Sequence, residues 1–349
     1  MAPFVDIKQK RPTTGGNIDA LDGLRGIAVL LVVADHTWGW FSGLGASGVW
    51  IFMSLSGFLL ARPFVQQPEL ASSLSFWQHF FLRRAWRIIP VYYVYIVIIY
   101  LFNARFDEAL LHFLFLKGSG HLWVVPQEML FYLLTPPVML FNYLILRGRS
   151  WLIIPCLIVL TILVNRFLDT DIIALYGMHN ILLRPFFGIF LGGIIISWFY
   201  YGIWQKKNTV LLHKRIEFFA AALVVLLLLF FLLCSHERLW GGERILTQLY
   251  FPWYGAAAGL LILAVLIAGQ STVNQLLSSL PLRALSLVSY SIYIFHPLIL
   301  GVIRKGIGYY YRGSITGFPL FITTLLLSYL FACLSYSLLE RPFLRSPST

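Results

Sequence analysis

Apolar residues in this chain gather into runs of roughly twenty, the length a helix needs to cross a bilayer, separated by short polar connectors. Ten segments follow that pattern: 24–42, 46–64, 88–103, 122–146, 151–168, 183–203, 216–234, 247–269, 284–303 and 317–339. Stretches such as Phe218–Cys234 and Ala256–Ala268 hold no charged residue at all. The pattern predicts an all-α polytopic integral membrane protein with about ten transmembrane helices. The longest connector on one side, Val65–Trp86, predicts an amphipathic interfacial helix in its second half. The first, third, fourth and ninth segments are interrupted by polar residues. Polar groups at membrane depth are costly and usually functional, so those four segments draw attention. There is no internal repeat, and residues 1–349 read as a single transmembrane domain.

Composition supports the same solvent. Of 349 residues, 59% are hydrophobic and 11% charged, whereas a soluble domain carries about a quarter charged residues. Mean hydropathy is +0.80. The net charge of +12 comes from Lys and Arg held in the connectors. Sixteen of them fall on the side that holds the N-terminus and nine on the other, with Arg25 at the boundary. That bias predicts both termini in the cytoplasm, which an even number of spans also requires. No basic stripe with interleaved aromatics lies outside the apolar segments, which argues against a nucleic-acid partner. Cys156, Cys234 and Cys333 lie inside apolar runs without metal-ligand spacing, so no metal site is expected. Lys8, Lys10 and Arg11 precede no cleavage-site pattern, and the first span is expected to act as the signal.

Candidate chemistry begins on the first segment, Leu21-Asp22-Gly23-Leu24-Arg25-Gly26, which runs on to Asp35-His36. Eleven helical steps separate Arg25 from His36, which brings the two side chains within about 20° of one face and about 16 Å apart along the axis. That wall suits a long anionic donor held by its head at Arg25 and presenting its reactive end to His36. Taken alone, Arg25 fits an interfacial snorkelling residue better than a ligand; an imidazole at membrane depth points to function. Asp35 neighbours His36 but faces another way. The Ser54–Leu59 stretch supplies small residues for close helix packing. Arg84 and Arg87 share a helix face, and guanidinium forks match phosphate oxygens; an anchor for anionic lipid uses the same pattern. Glu128 sits in an apolar run, either protonated or met by a cation from another helix. Tyr290 and His296 bring polar groups into the ninth segment.

Taken together these segments resemble the acyltransferase-3 family. The matching residues are Leu-Asp-Gly-Leu-Arg-Gly with Arg25-x10-His36, Ser-Gly-Phe-Leu at 56–59, and Arg84-x-x-Arg87-Ile-x-Pro90. They continue with Trp123-x4-Glu128-x2-Phe131-Tyr132, Ser-Tyr-Ser-Ile-Tyr-Ile-Phe-His-Pro at 289–297, and Glu340-Arg341-Pro342-Phe343. The resemblance implies ten spans in a bacterial plasma membrane and transfer of an acyl group, commonly acetyl from acetyl-CoA, to a carbohydrate hydroxyl. It implies acetyl-CoA or another acyl-CoA as donor substrate and no tightly bound cofactor. It further implies that His36 is the base or acyl-relay residue, with Glu128 assisting. Arg25, Arg84 and Arg87 would bind the donor, while Asp35, Tyr132, Tyr290 and His296 are candidates on the acceptor side. Where the family often has serine, this chain has Val124, Val125 and Pro126. Many relatives carry an extracytoplasmic hydrolase-like domain. This chain ends at Thr349, so acceptor hand-over is expected from the membrane domain, a homo-oligomer or a separate partner protein. Loops 104–121, 166–182 and 235–246 are expected to face the acceptor. The competing readings are a proton-coupled transporter or flippase of a lipid-linked sugar and a non-catalytic subunit of a polysaccharide assembly.

Overall fold

The computed structural model describes residues 18–101, 105–166, 187–205, 213–234, 251–311 and 315–344. Every regular element among them is helical. In chain order the α-helices begin with α1 (Ile18–Thr37), α2 (Leu44–Gln66), α3 (Leu74–Ile96), α4 (Phe106–Phe113) and α5 (Val124–Leu144). Next come α6 (Ser150–Arg166), α7 (Phe187–Phe199), α8 (His213–Cys234), α9 (Phe251–Ile267) and α10 (Thr272–Leu277). The last are α11 (Leu280–Leu287), α12 (Ser289–Tyr311), α13 (Phe318–Ser335) and α14 (Arg341–Leu344). Three of them run on into a π-helical turn: α3 into Val97–Leu101, α7 into Tyr200–Trp204 and α13 into Tyr336–Glu340.

The described residues form two compact units. The first comprises those within Met1–Phe52, Lys214–Gln248 and Ala264–Thr349. Its spine is α1, and glycines set how closely neighbours approach that spine. A Cβ on Gly23 would run into the Leu277 carbonyl and one on Gly26 into that of Leu282, so α10 and α11 meet α1 backbone to backbone. Small residues permit this where lipid tails offer no hydrophobic drive for association. Helices α12 and α13 pack on the same spine around Val29, Val33, Val288, Ile292, Ala332 and Tyr336, all at or near full burial.

The second unit comprises the described residues within Met53–His213 and Leu249–Leu263. Here α2 and α7 interlock reciprocally: Gly57 lies against the Phe190 carbonyl and Gly193 against that of Ser54. The packing role read into the Ser54–Leu59 stretch is therefore real. Ser73 caps α3 by accepting the Phe76 N–H at 3.2 Å. Trp77 Nε1 donates to the Ala71 carbonyl at 2.8 Å and its ring stacks on Phe64, fixing the entry to the helix.

Among the described residues, five helical stretches are long and apolar enough to cross a membrane: Leu44–Gln66, Gly120–Leu144, Phe187–Trp204, Lys214–Leu233 and Phe318–Glu340. A sixth counts if Leu280–Leu287 and Ser289–Ile307, bent by 76°, are taken as one span. Shorter apolar helices, Ser150–Leu163 and Tyr254–Ile267, stand at two more of the expected positions. The remaining two expectations fall on α1 and α3. These are helical but carry Asp19, Asp22, Arg25 and Asp35 in one and three arginines in the other.

Boundaries differ in three places. The expected interfacial helix and the third span are one helix, α3, which passes through Pro90 without ending. The ninth span breaks at Val288 and extends to Tyr311. The first helix starts at Ile18 and stops at Thr37, five residues short of the expected end. Of the loops expected to face the acceptor, 235–246 and all of 166–182 except Arg166 lie outside the described residues.

Candidate active site

The expected site residues sort into two clusters, one in each unit. The first gathers on α1 and α12. Because α1 is unbroken from Ile18 to Thr37, Arg25 and His36 do share a wall, with Arg25 half-buried and His36 exposed. Arg25 lies 4.0 Å from Asp22 and keeps 15% of its side chain exposed.

Behind His36 stands His296, fully buried, with ring centroids 4.9 Å apart. His296 Nε2 is 3.1 Å from His36 Nδ1. On its other side, His296 Nδ1 lies 3.1 Å from the Ile292 carbonyl and 2.9 Å from the Tyr293 carbonyl. Carbonyl oxygens only accept, so Nδ1 of His296 carries the proton and the Nε2 of a neutral ring is an acceptor. His36 Nδ1 is also 2.9 Å from the Val32 carbonyl. Both neighbours demand a proton there, which leaves Nε2 of His36 with a bare lone pair on the exposed side of the ring. A base or nucleophile needs that arrangement: one nitrogen held by a buried orienting group, the other free.

Arg304 of α12 donates from Nη2 to the His36 carbonyl at 3.3 Å. Asp35 accepts the Gly43 N–H, and a Cβ on Gly45 would crowd its other carboxylate oxygen, so Asp35 closes the turn that follows α1. Tyr290 is half-buried and six residues before His296, about 9 Å down the helix and about 120° round it. The structure thus joins His296 to His36 and leaves Tyr290 apart from the pair. Close to Tyr290, Ser291 donates to buried Glu340 at 2.7 Å and lies 3.2 Å from Ser335.

The second cluster unites α2, α3 and α5. Tyr132 OH donates to Glu128 Oε1, and Ser56 Oγ lies 3.4 Å from each of these two atoms. Over the Tyr132 ring, at 5.2 Å from its centroid, sits the Arg84 guanidinium, which also faces Phe80 at 5.6 Å. Hydroxyl donors therefore meet Glu128, and the cation from another helix stacks on the tyrosine that serves it. Arg84 and Tyr132, assigned above to opposite substrates, share one cluster. Arg87 lies one turn on, half-buried, with no ion pair among the described residues.

Sequence reasoning missed Arg304, Ser335 and the polar role of Ser56. The first two lie at positions where basic or small residues are ordinary, and only the fold brings them to a partner. No group of three His, Cys, Asp or Glu able to hold a metal forms among the described residues.

The chain is 25% identical to the O-acetyltransferase OatA of Staphylococcus aureus over 362 residues, 93% of this chain and 57% of the relative. It is 39% identical to the peptidoglycan O-acetyltransferase OatA of Listeria monocytogenes over 95 residues, 27% of this chain and 15% of the relative. A Bacillus subtilis protein, YrhL, is 26% identical over 320 residues, 80% of this chain and 48% of that one. At most, then, the chain spans little more than half the length of these relatives. No solved structure matches it. A family profile described as an acyltransferase domain matches residues 18–336, nearly the whole chain, which therefore belongs to the acyltransferase-3 family.

Proposed function

We propose that this chain transfers an acyl group, in the simplest case acetyl, from an acyl-CoA to a hydroxyl of a carbohydrate or glycan precursor at the bacterial plasma membrane. The observation that carries the reading is the pair of histidines. A buried His296 holds Nδ1 of the exposed His36, which leaves its Nε2 lone pair to act. In the direct route that lone pair takes the proton of the acceptor hydroxyl as its oxygen attacks the thioester carbonyl. The C–S bond then breaks, and the imidazolium returns the proton to the departing thiolate. In the relay route the same nitrogen attacks the thioester carbonyl first and the C–S bond breaks to release the thiolate; the hydroxyl oxygen then displaces the imidazole from the acyl carbon, and the hydroxyl proton neutralises the thiolate. Both routes conserve protons and need no further reactant.

Arg25, Arg84 and Arg87 are the guanidinium groups suited to the phosphates of the CoA nucleotide. Glu128, already accepting from Tyr132, is suited to orienting a sugar hydroxyl. The acceptor class comes from the three relatives, all of which carry O-acetyltransferase in their names and two of which also carry peptidoglycan. Ten spans with both termini inside belong to the same reading, since they put Arg25 at the cytoplasmic end of α1 and His36 toward the other. Among the described residues one bent helix pair is long and apolar enough to span a membrane. A carrier built on inverted repeats calls for a matching break in its other half.

The test is acyl transfer from radiolabelled acetyl-CoA in membranes carrying the wild type or His36→Ala, with cellular glycans as acceptors. A general base contributes typically 10²–10⁴-fold, so glycan labelling is expected to fall by at least about a hundredfold in the variant. Equal labelling by both proteins would remove His36 from the mechanism.

A further inference from the structure

Arg304 belongs to no motif considered so far. It lies two turns past His296 on α12 and reaches back to the His36 carbonyl. Its side chain is exposed, as is that of neighbouring Lys305, and no carboxylate among the described residues pairs with it. A guanidinium offers five N–H donors in a planar fork; the carbonyl occupies one nitrogen and leaves the rest of the fork open.

Among the described residues the space below that fork is open: Gly301, about one turn before Arg304 on the same flank of α12, would meet nothing within 4 Å if it carried a Cβ. The exposed apolar residue of this turn is Val302, at 64%. Two residues from Arg304 in sequence, it lies nearly on the opposite side of the helix. Arg304 therefore does not share the outward apolar surface of its own helix. It stands exposed beside the backbone of His36.

We propose that Arg304 recognises an anionic group on the acceptor, so that the acceptor carries a carboxylate or phosphate close to the hydroxyl that His36 deprotonates. This rests on the reading of His36 as the base. The open donors of the fork match two oxygens of either anion in bidentate geometry, and the bond to the His36 peptide fixes the fork relative to the imidazole. The anion has two possible sources: the sugar's own carboxylate or the phosphate of a lipid-linked carrier.

Binding to purified protein in vesicles of uncharged lipid tests this without any chemistry, using the His36→Ala protein so that no turnover occurs. The probes are a neutral N-acetylglucosamine tetramer, a hyaluronan tetramer that adds carboxylates, and farnesyl-diphospho-N-acetylglucosamine. At least one anionic probe is expected to bind about tenfold tighter than the neutral one. Arg304→Gln should erase that preference and Arg304→Lys keep part of it. A carboxylate source is shown by the hyaluronan tetramer, a carrier phosphate by the diphosphate. Equal binding of all three probes, or a preference that survives Arg304→Gln, overturns the proposal. Because binding is read apart from transfer, that failure is distinct from a failure of the acyltransferase reading.

Discussion

Which nitrogen of His36 is free follows from the groups around it, since backbone carbonyls accept and never donate. Ile292 and Tyr293 fix the proton on His296, and His296 together with Val32 fixes the proton on His36. His296 is then a positioning residue, and its replacements should separate packing from hydrogen bonding. His296→Ala is expected to lower kcat by about ten- to a hundredfold, the loss usual when an orienting partner of a working histidine is removed, with the KM for acyl-CoA little changed. His296→Gln, whose amide oxygen can still accept from His36 Nδ1, should recover activity to within a few-fold. Equal losses in the two variants would assign His296 to packing instead. Helical spacing alone placed Arg25 and His36 on one wall. His296 was legible as an unusual buried histidine, but its partner lies 260 positions away, and no local pattern encodes such a pairing.

At the scale of elements, α4 shows how a connector becomes rigid. Its His112 is fully buried and bonded to Tyr92 OH at 2.9 Å and Ser119 Oγ at 3.3 Å. The Tyr100 ring lies 4.6 Å from its own, and Tyr93 donates to the Phe113 carbonyl. Burial first, then the nearby Lys117 charge, lowers the pKa of His112 to about 4. As pH falls the unfolded chain protonates first, near 6.5, while the folded one resists until about 4. Stability from this site is therefore complete above about pH 6.5, declines between 6.5 and 4, and is level below. The whole effect is at most about 3 kcal/mol. Thermal unfolding in detergent across pH 4–8 should show that decline, and His112→Gln should flatten it; an identical slope in the variant would assign the decline to other groups. The sequence marked this segment only as a loop, because the clamp is built from tyrosines of α3 rather than from any pattern within residues 105–121.

For the whole molecule, hydropathy located the apolar helices well and their breaks poorly. A single helix from Leu74 to Ile96 was legible as two pieces because its polar half and apolar half have opposite preferences. The Val288 break was hidden because every residue around it is helix-compatible. Orientation rests on the distribution of lysine and arginine and is testable directly. In a chain whose Cys156, Cys234 and Cys333 are replaced, single cysteines at Ser72, Asn208 and Ser348 should be shielded in intact cells from a membrane-impermeant maleimide. Cysteines at Leu110 and Glu237 should react. Labelling at Ser348 before lysis would overturn a cytoplasmic C-terminus and with it the even span count.

The 76° break between α11 and α12 gives the final turns of the chain an electrostatic task. A helix that begins anew exposes unpaired N–H groups and the positive end of its dipole. Ser291, in the first turn of α12, donates to Glu340, a carboxylate with only 2% of its surface exposed. The closing Glu-Arg-Pro-Phe segment thus provides a buried hydrogen-bond acceptor for a helix start nearly fifty residues earlier. It works as a latch on the scaffold that carries His296. Damage to the tail would then loosen the seat of the reacting histidine from a distance, with every residue near the chemistry still in place.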